Sequence, residues 1–238
     1  MTNKCIDMKI KVLLLGLAMA LTIGVQAQKK DITKFMGIPI DGTKTAMIQK
    51  LKAKGFTYNA KMDRLEGEFN GRDSYISVVT NRNKVYRIVV LDANYTNEAN
   101  IKIRFNNLVR QFMENGKYAP ADMVGNFAIA EDVKISYEMT VNNKRFEAAF
   151  FQMSEADKDT TGIAAFAQQK AYSKYTQDEI RNMSEEEQLV LQYSLAIDWL
   201  ESKSGKKSVW FMITELYGEY GIVLYYDNKY NESNGEDL

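Results

Sequence analysis

Residues 65 to 91 constrain the fold more than any other stretch. LEGEF is followed by NGRD, a second alternating run spans Tyr75 to Thr80, NRNK follows, and Val85 to Leu91 is almost wholly apolar. Alternation at a period of two places successive side chains on opposite faces of a sheet. Asn-Gly and Asn-rich breaks between such runs supply the backbone conformations of tight hairpins. This segment therefore predicts an antiparallel meander.

Helical signals flank the meander. In FMGIPIDGTKTAMIQKLKAKGF (35–56), Pro39 sets an extended approach and Asp41 or Thr43 can cap the first free amides. Met47, Ile48 and Leu51 then share one helical face, Gly55 suits the left-handed stop, and Phe56 can fold back on the last turn. A phosphate-binding loop would need more glycines and a following GK[ST]; only Gly37 and Gly42 are present. Asn97 caps a second helix whose stripe is Ile101, Phe105, Leu108, Val109, Phe112 and Met113, with Gly116 as its stop.

Beyond Pro120, Val133 to Val141 alternates and predicts a strand, which NNK turns into a second strand from Arg145 to Met153. Residues 154–176 read as a polar, irregular loop. Ser184 and Glu187 form a capping box for a helix to about Glu201, whose apolar residues Leu191, Leu195 and Trp199 predict burial. Lys207–Leu216 and Gly221–Tyr226 form a final hairpin. The order α-βββ-α-ββ-α-ββ lacks the regular alternation of parallel units. It predicts an α+β fold, with antiparallel sheet and helices packed on one side. The expected domain spans 28–238, with halves near 28–118 and 119–238 as the alternative.

The chain opens with Lys9 and Lys11, an apolar run from Val12 to Val25, and Val25-Gln26-Ala27 before Gln28. This is the pattern of a secretory signal peptide over 1–27, too short for a membrane span, with a mature start at Gln28. Cleavage removes the single cysteine, Cys5, so no disulfide or thiol nucleophile is expected. No cysteine follows the apolar run to carry a lipid anchor, so the expected product is soluble, in the periplasm or outside the cell. Lys plus Arg falls from 31 to 28 and Asp plus Glu from 31 to 30, a net charge near −2. Without a basic excess, nucleic acid is not an expected partner.

Both ends carry a resemblance. GIPIDGT…LKAKGF at the start, and Tyr226-Asp227-Asn228 followed by Asn234 to Leu238 at the end, resemble uncharacterised exported proteins of Bacteroidota, a family that implies no activity. The repeated pattern of a helix followed by an antiparallel meander is similar to the repeats of β-lactamase inhibitor proteins and their periplasmic relatives.

Histidine is absent, which removes Ser-His and Cys-His nucleophiles and imidazole-based zinc sites. Paired acids remain as a hydrolytic device, and Glu66, Glu68, Glu138 and Glu147 lie on expected strands. A solvated charged face accounts for them better. Asp157-Lys-Asp159-Thr-Thr161-Gly162 resembles the start of a calcium loop with Asp157 and Asp159 as ligands, but position twelve is Gln168 instead of a bidentate acid. The remaining candidate is the aromatic last hairpin. Trp210 and Tyr226 are expected in the core, whereas Tyr217, Tyr220 and Tyr225 are expected to contact a partner. The leading expectation is an exported, non-enzymatic protein that binds a protein, peptide or glycan. A carboxylate-dependent glycan hydrolase and a structural envelope protein are the alternatives.

Overall fold

The computed structural model describes residues 31–122 and 127–233. The expected leader over 1–27, the mature start at Gln28 and the Asn234–Leu238 ending lie outside the described residues.

The first described elements are a two-stranded hairpin, β1 (Lys34–Phe35) and β2 (Ile38–Pro39), followed by helix α1 (Lys44–Lys52). The Thr43 side chain accepts from the Ala46 amide, and Gly55 takes a φ of 102° where the helix stops. Phe56 then folds back into the core, its amide reaching the Leu51 carbonyl. Four strands follow: β3 (Thr57–Asn59), β4 (Arg64–Phe69), β5 (Arg72–Asn81) and β6 (Lys84–Asp92). The turns at Asn70-Gly71 and Arg82-Asn83 have positive φ at both central residues, the twist that tight hairpins demand.

Helix α2 (Glu98–Glu114) is capped by Asn97, as its sequence predicts. After it come β7 (Tyr118–Pro120), helix α3 (Ile135–Val141) and β8 (Glu147–Gln152). Helices α4 (Ile163–Lys174), α5 (Gln177–Asn182) and α6 (Glu185–Ser204) are inserted before β9 (Lys207–Leu216) and β10 (Glu219–Asn228).

The strands form one antiparallel sheet in the order β3-β4-β5-β6-β10-β9-β8-β7. A helix and a four-stranded meander thus occur twice, and the last strand of each meander pairs antiparallel with the other, Leu224 against Val90. The halves near 28–118 and 119–238 each supply four strands to this sheet. By its contacts, Ile32–Leu238 is a single compact unit.

One face of the sheet carries the core. Leu65, Ile76, Val90, Leu224 and Phe211 form a cross-strand row, and Phe105 and Phe112 of α2 pack on it with ring centroids 5.2 and 5.5 Å from Phe211. Asp92, buried in β6, ties this layer together. It accepts from Arg104 of α2 and from the Ile222 amide of β10, the latter at 3.0 Å. Such a buried, fully bonded acid holds the seam between the two meanders and the helix above it.

Two expectations of local structure are corrected. Residues 135–141 are helix α3, not a strand. No side chain of its own caps it; instead Glu98 of α2 accepts from the Ile135 amide at 2.5 Å and the Ser136 hydroxyl at 2.8 Å. Burial works to raise the Glu98 pKa, yet the Ser136 and Ile135 bonds hold it below the ordinary carboxylate value. The cap is tertiary, so local alternation could not reveal it.

Helix α6 is also far more exposed than its apolar content predicts: Leu189, Val190 and Tyr193 face solvent. Its partner is α4, inside the segment that reads as irregular loop. There Trp199 meets Phe166 edge-on at 5.2 Å, and Lys170 and Lys174 approach Asp198. The core side of β9 and β10 belongs to α2, so α6 buries only against α4 and the edge of the sheet at β8.

Candidate functional site

Side chains that alternate with the core residues emerge on the opposite face of the sheet. Register places Glu66, Tyr75, Leu91, Val223, Met212 and Glu147 in one cross-strand row. Ser77, Val89, Tyr225, Trp210 and Ala149 form the neighbouring row. Most of these side chains are only half-buried, unlike the core face. The apolar stretch from Tyr75 to Met212 crosses three strand spacings, about 14 Å.

At its centre lies a built cluster. Trp210 and Tyr225 are cross-strand partners whose rings stack at 4.0 Å and 15°. The Arg87 guanidinium sits 5.0 Å from the Tyr225 ring and 5.8 Å from Trp210. Asp227, its side chain 5% exposed, accepts from Arg87 Nε at 2.5 Å and Nη2 at 2.9 Å, and from Trp210 Nε1 at 3.0 Å. The bond to Asp227 holds the Arg87 pKa above its ordinary value against burial. The Trp210 indole N–H and the Arg87 guanidinium are thereby both bonded to the Asp227 carboxylate, which fixes the rings in place before any partner arrives. Nearby, the Arg64 guanidinium lies 3.4 Å from the Tyr75 ring centroid while its Nε binds Glu66 at 2.9 Å.

The predicted contact tyrosines separate. Tyr225 belongs to this cluster. Tyr217 is 95% exposed at the β9–β10 turn, in a left-handed conformation with φ 53°. Tyr220 is corrected: it is 5% exposed and lies in the core. The turn residues are Tyr217-Gly218, so Tyr220 is already the second residue of β10 and points to the helix side. There it exchanges backbone bonds with Thr96, and burial raises its pKa. Tyr226 is in the core as expected, whereas Trp210 is corrected to the half-buried opposite face. Arg87 and Asp227 escaped sequence reasoning; an acid inside an apolar strand was the available signal, because such a group demands a partner.

The candidate acids on different elements do not converge. Glu66 on β4 and Glu147 on β8 are five strand spacings apart, about 24 Å, beyond the reach of a carboxylate pair. Glu68 is exposed on β4, and Glu138 is on α3, where it accepts from Asn142. The calcium-like segment is otherwise engaged. Asp157 accepts from the Ser154 amide and hydroxyl, both at 2.7 Å, and pairs with Lys207. Asp159 accepts from the Thr161 amide at 2.9 Å, and Gln168 lies in α4. Among the described residues no group of three or more acidic, cysteine or histidine side chains is placed to hold a metal. Nor is any described helix long and apolar enough to cross a membrane.

Fold and site together define an α+β protein with one covered sheet face and one half-open aromatic face. No protein family, curated protein or solved structure matches the chain.

Proposed function

We propose that the protein is an exported, non-enzymatic binding protein that takes a protein partner on the open face of its sheet. The stacked Trp210–Tyr225 pair, pinned by Arg87 and Asp227 in the middle of that face, carries the reading. Trp, Tyr, Arg and Met are the residue types that concentrate interface energy. Here they are immobilised by the sheet, which reduces the entropy lost on association. The spread of the candidate acids favours binding over glycan hydrolysis. The apolar leader in the sequence supports export.

The test is capture from the native envelope by tagged protein, wild type beside Trp210→Ala and Tyr225→Ala. Loss of a central aromatic anchor should weaken capture of a specific partner by about 30-fold or more, while both variants stay folded. The recovered wild-type chain should begin at or near Gln28 by intact mass. A partner held equally by all three proteins would refute the assignment of this face, and a retained N-terminus would refute export.

A further inference from the structure

On the other side of the sheet, a cavity of about 320 Å³ opens between α2, the β4–β5 turn and the β1–β2 hairpin. Well-packed cores hold few voids larger than a water molecule, and this one falls within the range of small-molecule sites. Phe69 and Phe112 line it together with Tyr118 and the buried Tyr226. Burial keeps Tyr226 well above its ordinary pKa, and a tyrosine hydroxyl can both donate and accept.

The mouth is made of side-chain amides. Asn70 Nδ2 donates to Gln111 Oε1 at 3.0 Å across it, and Asn115 lies beside them. Asn115 Oδ1 accepts from the Lys117 amide, so the Asn115 and Gln111 NH2 groups are the donors this rim can offer a ligand. Met36, at φ 49°, is also part of the lining; such a conformation is uncommon for a non-glycine residue. Among the described residues no lysine or arginine lines the cavity. Glu68 is on its margin, but alternation along β4 directs that side chain to the opposite face.

We infer that this cavity binds one uncharged saccharide ring. Aromatic walls match the C–H face of a pyranose, and a rim of groups that both donate and accept matches its hydroxyls. The absence of a cation among the described lining residues disfavours sugar phosphates and other anions. The site lies across the sheet from Trp210 and Tyr225 and does not depend on the proposed partner face.

Saturation-transfer NMR on the intact protein tests this with glucose and N-acetylglucosamine as ligands and indole as a ring without hydroxyls. At least one sugar should bind at millimolar concentration with transfer from aromatic protons. Gln111→Ala should weaken it about tenfold, and Gln111→Trp, at an exposed position on α2, should block it. Trp210→Ala should leave it unchanged. Four results would each overturn the proposal: neither sugar binds, indole alone binds, sugar binding survives Gln111→Trp, or it is lost in Trp210→Ala.

Discussion

Replacing Asp157 by Asn tests whether its carboxylate serves a lysine or a metal. Lys207 and Asp157 form an ion pair whose side chains are 4% and 10% exposed. Removing one partner of such a pair leaves a charge in a poorly solvated place and costs about 3–5 kcal/mol. The lower end applies here, because Asp157 keeps some solvent and Lys207 has further interactions. In a domain of this size, a loss of about 3 kcal/mol lowers Tm by roughly 6–12 °C. Asn still offers an oxygen to the Ser154 amide, so the loss reports the charge. The double variant Asp157→Asn/Lys207→Met removes both charges and should recover stability to within about 1 kcal/mol of wild type.

The effect also has a pH signature. Burial works to raise the Asp157 pKa, but the Lys207 and Ser154 bonds outweigh it and hold the value below the ordinary 3.8. A depressed folded pKa contributes stability that is present above the unfolded value and lost as pH falls through the folded one. The gap between wild type and Asp157→Asn should therefore be full at pH 7 and shrink below about pH 4. Thermal unfolding at both pH values measures it. Millimolar calcium should move Tm by less than about 1 °C, because the ammonium already occupies the carboxylate. A single-variant loss under about 1 kcal/mol, or a double variant no better than the single, would refute the buried-pair reasoning. A rise of several degrees in calcium would instead make Asp157 and Asp159 ligands.

Two further outcomes concern the last hairpin. Tyr220→Ala should cost about 3 kcal/mol in urea unfolding, because it empties a core position; a loss under about 1 kcal/mol would mean that Thr96 and its loop do not cover the ring. Tyr217→Asn should stabilise by about 0.5–1 kcal/mol, because Asn tolerates the left-handed conformation that a tyrosine adopts there at a cost. If Tyr217→Asn instead destabilises, the exposed ring contributes to the fold in a way its 95% exposure does not suggest.

Local signals in the sequence determined the β4–β6 meander, the caps at Thr43, Asn97 and Ser184, the stop at Gly55 and the existence of the last hairpin. Each is written within a few residues, because turn backbone conformation and cap hydrogen bonds depend on immediate neighbours. Other features were decided by residues distant in the chain. Alternation from Val133 to Val141 suits a strand, yet Glu98, 37 residues away, caps a helix there. The apolar stripe on α6 says that something is buried but not what covers it; α2 had already taken the sheet. That Tyr225 lies outside the core was legible from its aromatic setting. The burial of Tyr220 was not, because moving a turn by one residue reverses which face a strand residue occupies. The cluster of Arg87, Trp210, Tyr225 and Asp227 needs β6, β9 and β10 side by side, with Arg87 and Asp227 140 residues apart. Sequence supplied the chemistry of these side chains; only the pairing of the two meanders along their last strands placed them together.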